Sequence, residues 1–159
     1  MPLAKIVSGG QTGVDRGALD AALDAGFACG GWCGRGRVAE DGAIEARYPL
    51  VELEEGGYAE RTLKNVLDAD GTAILYLHEL EGGTHQTLLH CIRNGKPHEV
   101  IDAAETPARN AAARLAAFVA AHGIAVLNVA GPRASKWPAA RDYAYATVRR
   151  LLERMRQVS

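Results

Sequence analysis

The sequence predicts an α/β fold, doubly wound, in which a mainly parallel sheet of about five strands is flanked by helices. Three observations predict it. Apolar runs of strand length alternate with segments of helical spacing along the whole chain. The run at 72–78 is apolar almost without a break, as a strand covered on both faces requires. Three strand ends also break into glycine-containing turns, GGQT, EGGT and AGPR, and in open parallel sheets ligands sit outside the carboxyl ends of the strands. At 159 residues, 48% of them hydrophobic, the chain suits one domain, 1–159, with its own core.

Taken in order, 3–8 is the first strand. Helical spacing follows through Val14, Ala18, Ala21, Ala22 and Ala25, opened by a capping box, Thr12-x-x-Asp15, and closed at Gly26. The second strand is expected over 27–32. Residues 33–53 form a polar segment containing GRGRVAEDG, too long for an ordinary connection and so expected to be a functional loop, with a short strand at 50–53. A helix over 58–67 has its apolar positions at 59, 63, 66 and 67, and the third strand occupies 72–78. The turn at 81–84 leads into a helix reaching about Asn94, and Val100 and Ile101 mark the fourth strand. Thr106-Pro107 is the N-cap and first position of a helix that turns Ala111, Leu115, Phe118 and Val119 inward. The fifth strand is 124–129, and the closing helix carries Ala144, Val148, Leu151, Leu152 and Met155 on one face.

Composition excludes several classes. The formal net charge is -1, from 18 basic and 19 acidic residues, so no global field favours nucleic acid or an anionic membrane. No segment approaches the roughly 20 apolar residues of a membrane span, and a cytoplasmic location is expected. Three cysteines, Cys29, Cys33 and Cys91, form neither a disulfide pattern nor a zinc set, so no metal site is expected. Cys91 shares an apolar helix side with Leu88 and Ile92.

The chemistry concentrates at the turns. In Ser8-Gly9-Gly10-Gln11-Thr12-Gly13-Val14-Asp15 an apolar run breaks into glycines and then a helix, which is how phosphate loops are built. Glycines admit positive φ, and the N–H groups of a new helix attract an anion. Small residues at a strand-to-helix turn also serve packing alone, and neither standard glycine fingerprint fits. Arg35, Arg37, Arg133 and Lys136 bring positive charge toward this sheet edge, while Asp15, Glu40 and Asp41 suit hydroxyls or ring N–H groups. The expected ligand is therefore a phosphorylated small molecule with a polar ring. Two other patterns lack their context. Asp68-Ala69-Asp70-Gly71-Thr72 spells a phosphatase motif, but it ends a helix instead of following a strand, and reads as a solvated turn. Ser8, Ser135 and five histidines, of which only His85 lies in a site loop, form no nucleophile elbow.

The order GGQTGVDRGALDAA, GGWC, GR-AEDG, Arg61-Thr62-Leu63-Lys64-Asn65, DGT, GGT and LNVAGPR-x-S resembles the molybdenum carrier family of small bacterial proteins over nearly the whole chain. That family is similar in fold to molybdenum cofactor carriers and to lysine-decarboxylase-like nucleotide-binding proteins. The resemblance implies a single Rossmann-like domain, homo-oligomeric, that binds the molybdenum cofactor as a phosphorylated, molybdopterin-type pterin, or else a nucleotide. Carried over by position, it implies ligand contacts from Gly9, Gly10, Gln11, Thr12, Gly13 and Asp15, from Gly82, Gly83 and Thr84, and from Gly131, Pro132, Arg133, Ser135 and Lys136. Where the family often reads C-P-K-G-R, this chain has Cys33-Gly34-Arg35-Gly36-Arg37, keeping the charge and losing the rigid proline. Trp32 suits either stacking on a ring or packing. Related phosphoribohydrolases carry P-G-G-x-G-T-x-x-E, and Glu81-Gly82-Gly83-Thr84-His85-Gln86-Thr87-Leu88 lacks the later glycine and the acid. Binding without catalysis is the leading reading, with a nucleotide sensor and a nucleotide phosphoribohydrolase as alternatives.

Overall fold

The computed structural model describes residues 2–158. Its central sheet joins five parallel strands: β1 (Lys5–Val7), β2 (Cys29–Gly30), β7 (Gly71–Tyr76), β8 (His98–Asp102) and β9 (Val126–Ala130). Between β2 and β7 lie the two-residue strands β3 (Trp32–Cys33), β4 (Val38–Ala39), β5 (Gly42–Ala43) and β6 (Val51–Glu52). The helices are α1 (Val14–Asp24), α2 (Tyr58–Asp68), α3 (Gly82–Arg93), α4 (Ala108–His122) and α5 (Ala140–Val158). α1 and α4 both pack on α5, whereas α2 packs on α3. The doubly wound, Rossmann-like α/β fold is thus present.

The sheet order is β2-β1-β9-β7-β8. The last strand has entered the middle, with Lys5 opposite Val126 on one side and Gly71 opposite Leu127 on the other. Counted from β9 onward through β1, β2, β7 and β8, the same sheet reads 3-2-1-4-5, the dinucleotide-fold order rotated along the chain. Its switch point lies between β9 and β7. β7 carries five successive buried residues, as its apolar run implies.

Several local expectations change. Gly13 (φ 80), not Thr12, caps α1, and no side chain takes part, because the Thr12 hydroxyl is drawn to Glu40. Gly31 (φ 126) breaks the strand expected at 27–32, since any β-carbon there would overlap the Ser8 backbone. Trp32 and Cys33 then leave the central sheet and pair with β6. Residues 33–53 are no bare loop: Cys33, Ala39, Ile44, Tyr48 and Leu50 close over Leu19 of α1 as a second small core. Helix α2 presents Thr62, Asn65 and Val66 inward, leaving Ala59 and Leu67 exposed. α4 starts one residue later than expected, with Pro107 as its cap. Ile92 is 57% exposed although Cys91 is buried. The Asp68–Asp70 turn does more than meet solvent: Asp70 accepts the N–H groups of Ala125 and Val126, and Asp68 accepts the Trp32 indole N–H.

Candidate functional site

At the switch point a cleft of about 230 Å³ opens over the carboxyl ends of β1, β9 and β7. Gln11 and Asp15 come from the first turn and α1. Ala130, Gly131, Pro132, Arg133, Lys136 and Trp137 follow β9. Leu77 and Glu79 follow β7, Glu81, Gly82, Gly83, Thr84 and Thr87 belong to the start of α3, and Tyr58, Arg61 and Thr62 lie on α2. The three glycine turns therefore do meet at one edge of the sheet, as their positions predict.

They meet on unequal terms. The first and third turns are interlocked. Gly13 sits where a β-carbon would strike the Pro132 carbonyl, Val14 N donates to that carbonyl at 3.1 Å, and Ala134 N donates to Thr12 Oγ1 at 3.1 Å. Thr12 N donates to its neighbour's Gln11 Oε1 at 3.0 Å, and Gln11 N donates to Asp15 Oδ2 at 3.3 Å. The N–H groups of Gln11, Thr12 and Val14 are thus consumed within the protein. In α3, by contrast, Gly82, Gly83 and Thr84 form the first turn, whose N–H groups have no intrahelical acceptor, and all three line the cleft.

Glu40 ties the long 33–53 segment onto these turns. It accepts hydrogen bonds from Thr12 Oγ1, from Ser135 N at 3.1 Å and from Ser135 Oγ at 2.6 Å, and pairs with Arg133 Nε at 3.2 Å. The Ser135 hydroxyl, then that of Thr12, holds its carboxyl below the usual range. Asp41 pairs with Arg16 at 2.9 Å, and Arg16 also donates to the Gly10 carbonyl. Arg37 donates to the carbonyls of Ile44, Glu45, Tyr48 and Leu50. Thr12, Glu40, Asp41, Arg37 and Ser135 therefore build the frame, and the cleft wall does not include them. Gly9 and Arg35 line a smaller recess beside the cleft, and Gly10 and Gly13 pack behind it. Trp32 packs as well, with Lys64 over its ring at 4.5 Å and both backbone polar groups bonded to Asn65.

Within the cleft, Asp15 is 3% exposed and Arg61 Nη1 lies 3.5 Å from its Oδ2. Burial pushes the Asp15 carboxyl above the ordinary aspartate range, outweighing Arg61, the Gln11 N–H and Ser8, which all act to lower it. The Arg61 guanidinium lies across the face of Gly9 and 4.5 Å from the Tyr58 ring centroid. Cations and acids are balanced here: Arg61, Arg133 and Lys136 face Asp15, Glu79 and Glu81. Arg61 is paired with Asp15 and Arg133 with Glu40, so among the described residues Lys136 is the cleft cation with no acidic partner. No three His, Cys, Asp or Glu side chains among the described residues gather as metal ligands.

Tyr58, Arg61, Thr62, Glu79, Glu81 and Thr87 carry no site role in the sequence reading. The signal for two of them, Arg61 and Thr62, was present in Arg61-Thr62-x-x-Asn65, where Thr62 and Asn65 share one helix face and bring Arg61 to its rim.

A family model described as the circularly permutated YpsA SLOG family matches residues 6–152. The chain belongs to that family. The rotated strand order is what such a description requires. A crystal structure named "Putative molybdenum carrier protein", from Syntrophus aciditrophicus SB, is 40% identical, superposes with a TM-score of 0.92, and the match covers 95% of this chain and 96% of that one. This member of the permuted SLOG family is therefore similar along nearly its whole length to that protein. Among curated proteins none matches. No helix among the described residues is long and apolar enough to cross a membrane.

Proposed function

We propose that this chain is a small-molecule carrier, acting as one binding unit, that holds a phosphorylated heterocycle in the switch-point cleft, a pterin of the molybdopterin type first among them. One observation carries the reading: Lys136 and the open N-terminal turn of α3, Gly82, Gly83 and Thr84, line the same cleft, and together they make a phosphate site. Glu79 and Glu81 stand ready to accept ring N–H groups, the role first expected of Glu40 and Asp41. The donor set fits a phosphorylated pterin, and any molybdenum would arrive on the ligand, since the described residues gather no metal-holding cluster. The similarity to a protein named as a molybdenum carrier supports this assignment. Exposed Leu67 and Ile92, on the packed helices α2 and α3, are surface that a homo-oligomer would cover.

Native mass spectrometry of protein purified without oxygen tests the reading, because it weighs a retained ligand and counts subunits together. A pterin-sized adduct, reduced in Lys136→Gln, is the expected result; a nucleotide adduct in its place moves the assignment to the second reading. That second reading, a nucleotide phosphoribohydrolase, is favoured by Asp15, because a buried carboxyl that keeps its proton to higher pH has the property a general acid needs. Incubation with nucleoside monophosphates separates the two: a carrier releases no free base.

A further inference from the structure

We infer that the site has a second anion pocket, so that its ligand carries a diphosphate or an equivalent second negative group. The inference rests on the proposed phosphate site at Lys136 and α3. Beside the cleft lies a recess of about 90 Å³, and the two share Gln11, Tyr58 and Arg61 as common walls. Three further lining residues, Gly9, Gly34 and Gly57, leave backbone in place of side chain, and Arg35 supplies the charge. Arg35 has no acidic partner among the described residues; its own N–H donates to the Gly56 carbonyl at 3.2 Å.

The geometry around Arg61 separates this recess from ordinary loop packing. A β-carbon at Gly9 would overlap the Arg61 guanidinium, so the guanidinium occupies space that only glycine leaves. Asp15, at 3.5 Å, holds it on the cleft side, and the Tyr58 ring supports it at 4.5 Å. Arg61 is therefore a fixed, planar cation in the wall between two chambers, and a guanidinium has five N–H donors with which to reach both. Each chamber also has a second cation of its own, Lys136 on one side and Arg35 on the other. One phosphate engages Lys136 and the α3 turn, the next engages Arg35, and Arg61 bridges them.

Inorganic phosphate and pyrophosphate test this without reference to the ring. Calorimetric titrations at fixed ionic strength should show pyrophosphate binding at least tenfold tighter than phosphate. Arg35→Gln should abolish that gain and leave phosphate binding unchanged, Lys136→Gln should weaken both anions, and Arg109→Gln, on distant α4, should change neither. Phosphate binding with no gain from the second phosphate overturns the second pocket alone, as does a gain that Arg35→Gln leaves intact or Arg109→Gln also removes. Binding of neither anion overturns the phosphate site at Lys136 and this inference with it.

Discussion

Asp15 is the residue at which burial and charge compete most directly. Its carboxyl has four favourable neighbours, Arg61, the Gln11 N–H, Ser8 and Arg16, and still titrates above the ordinary aspartate range, about 4, because so little water reaches it. A raised carboxyl pKa means the folded protein binds the proton more readily than the unfolded chain, so its contribution to stability falls as pH rises above that range. Asp15→Asn keeps the shape and removes the charge. Its melting temperature should match the wild type near pH 4 and exceed it at pH 7; a lower value at pH 7 would show that the pair with Arg61 outweighs desolvation. Two glycines divide binding from folding at the same scale. The atoms nearest a β-carbon in Gly9→Ala are those of the Arg61 guanidinium, a side-chain end and not backbone, so the protein should stay folded while Arg61 is displaced from Asp15 and anion affinity drops roughly tenfold, the loss of one charged hydrogen bond. Gly131→Ala meets the Leu75 carbonyl and the Val14 side chain, neither of which can swing away. Overpacking of that kind costs about 1–3 kcal/mol, and thermal denaturation of the two variants should separate them.

Among the elements, β1, β7, β8, β9 and α1 were legible because they bury apolar side chains at regular spacing, and periodicity reports that directly, whereas the strand expected at 27–32 breaks at Gly31. Helix α2 was legible in position and not in orientation. It turns polar Thr62 and Asn65 inward, and Asn65 spends its amide on the Trp32 backbone, so a search for apolar residues selects the wrong face. Of the candidate site, the three turns were readable as the places where glycine follows a strand. What could not be read was which of their N–H groups the protein uses itself, because that depends on contacts such as Thr12 with Ala134, far apart in sequence. The 33–53 segment was read as functional because it is long. Besides its small core and Glu40, it is ordered by Arg37, held at φ 51 with four carbonyls around its guanidinium. Arg37→Ala leaves the half-buried carbonyls of Ile44, Tyr48 and Leu50 without their donor, and it should destabilise the segment by about 1–3 kcal/mol. Hydrogen exchange should rise over 34–50 and leave the amides of β7 and β9 protected; a uniform rise across the sheet would mean the segment does not open on its own.

At the scale of the whole molecule, the rotated strand order makes a prediction about where the chain can be cut. The cleft belongs to the carboxyl edge of the sheet, where β9, β1 and β7 end. The first and last described elements approach the opposite edge. β1 starts there beside Val126, and near the end of α5 the Arg156 guanidinium donates to the carbonyl of Ala25, just ahead of β2. Joining them through a flexible linker therefore leaves every cleft turn untouched. New ends belong at Gly123, which is exposed, closes α4 in the left-handed region at φ 60, and has open space around it. Such a permutant begins with β9 and α5, continues through β1, β2 and β7, and ends on α4, so its strands run 3-2-1-4-5 in the unrotated order. The cut crosses no strand pairing of the central sheet, and exposed helix ends are the sites where permutation is best tolerated. It should melt cooperatively, keep the far-ultraviolet spectrum of the parent, and bind phosphate within about threefold of the parent affinity, a difference of under roughly 1 kcal/mol. A folded permutant that has lost binding would be the informative failure, because it would show that the interlock of Gly13 with Pro132 and Thr12 with Ala134 depends on chain order and not on the packing of the sheet alone.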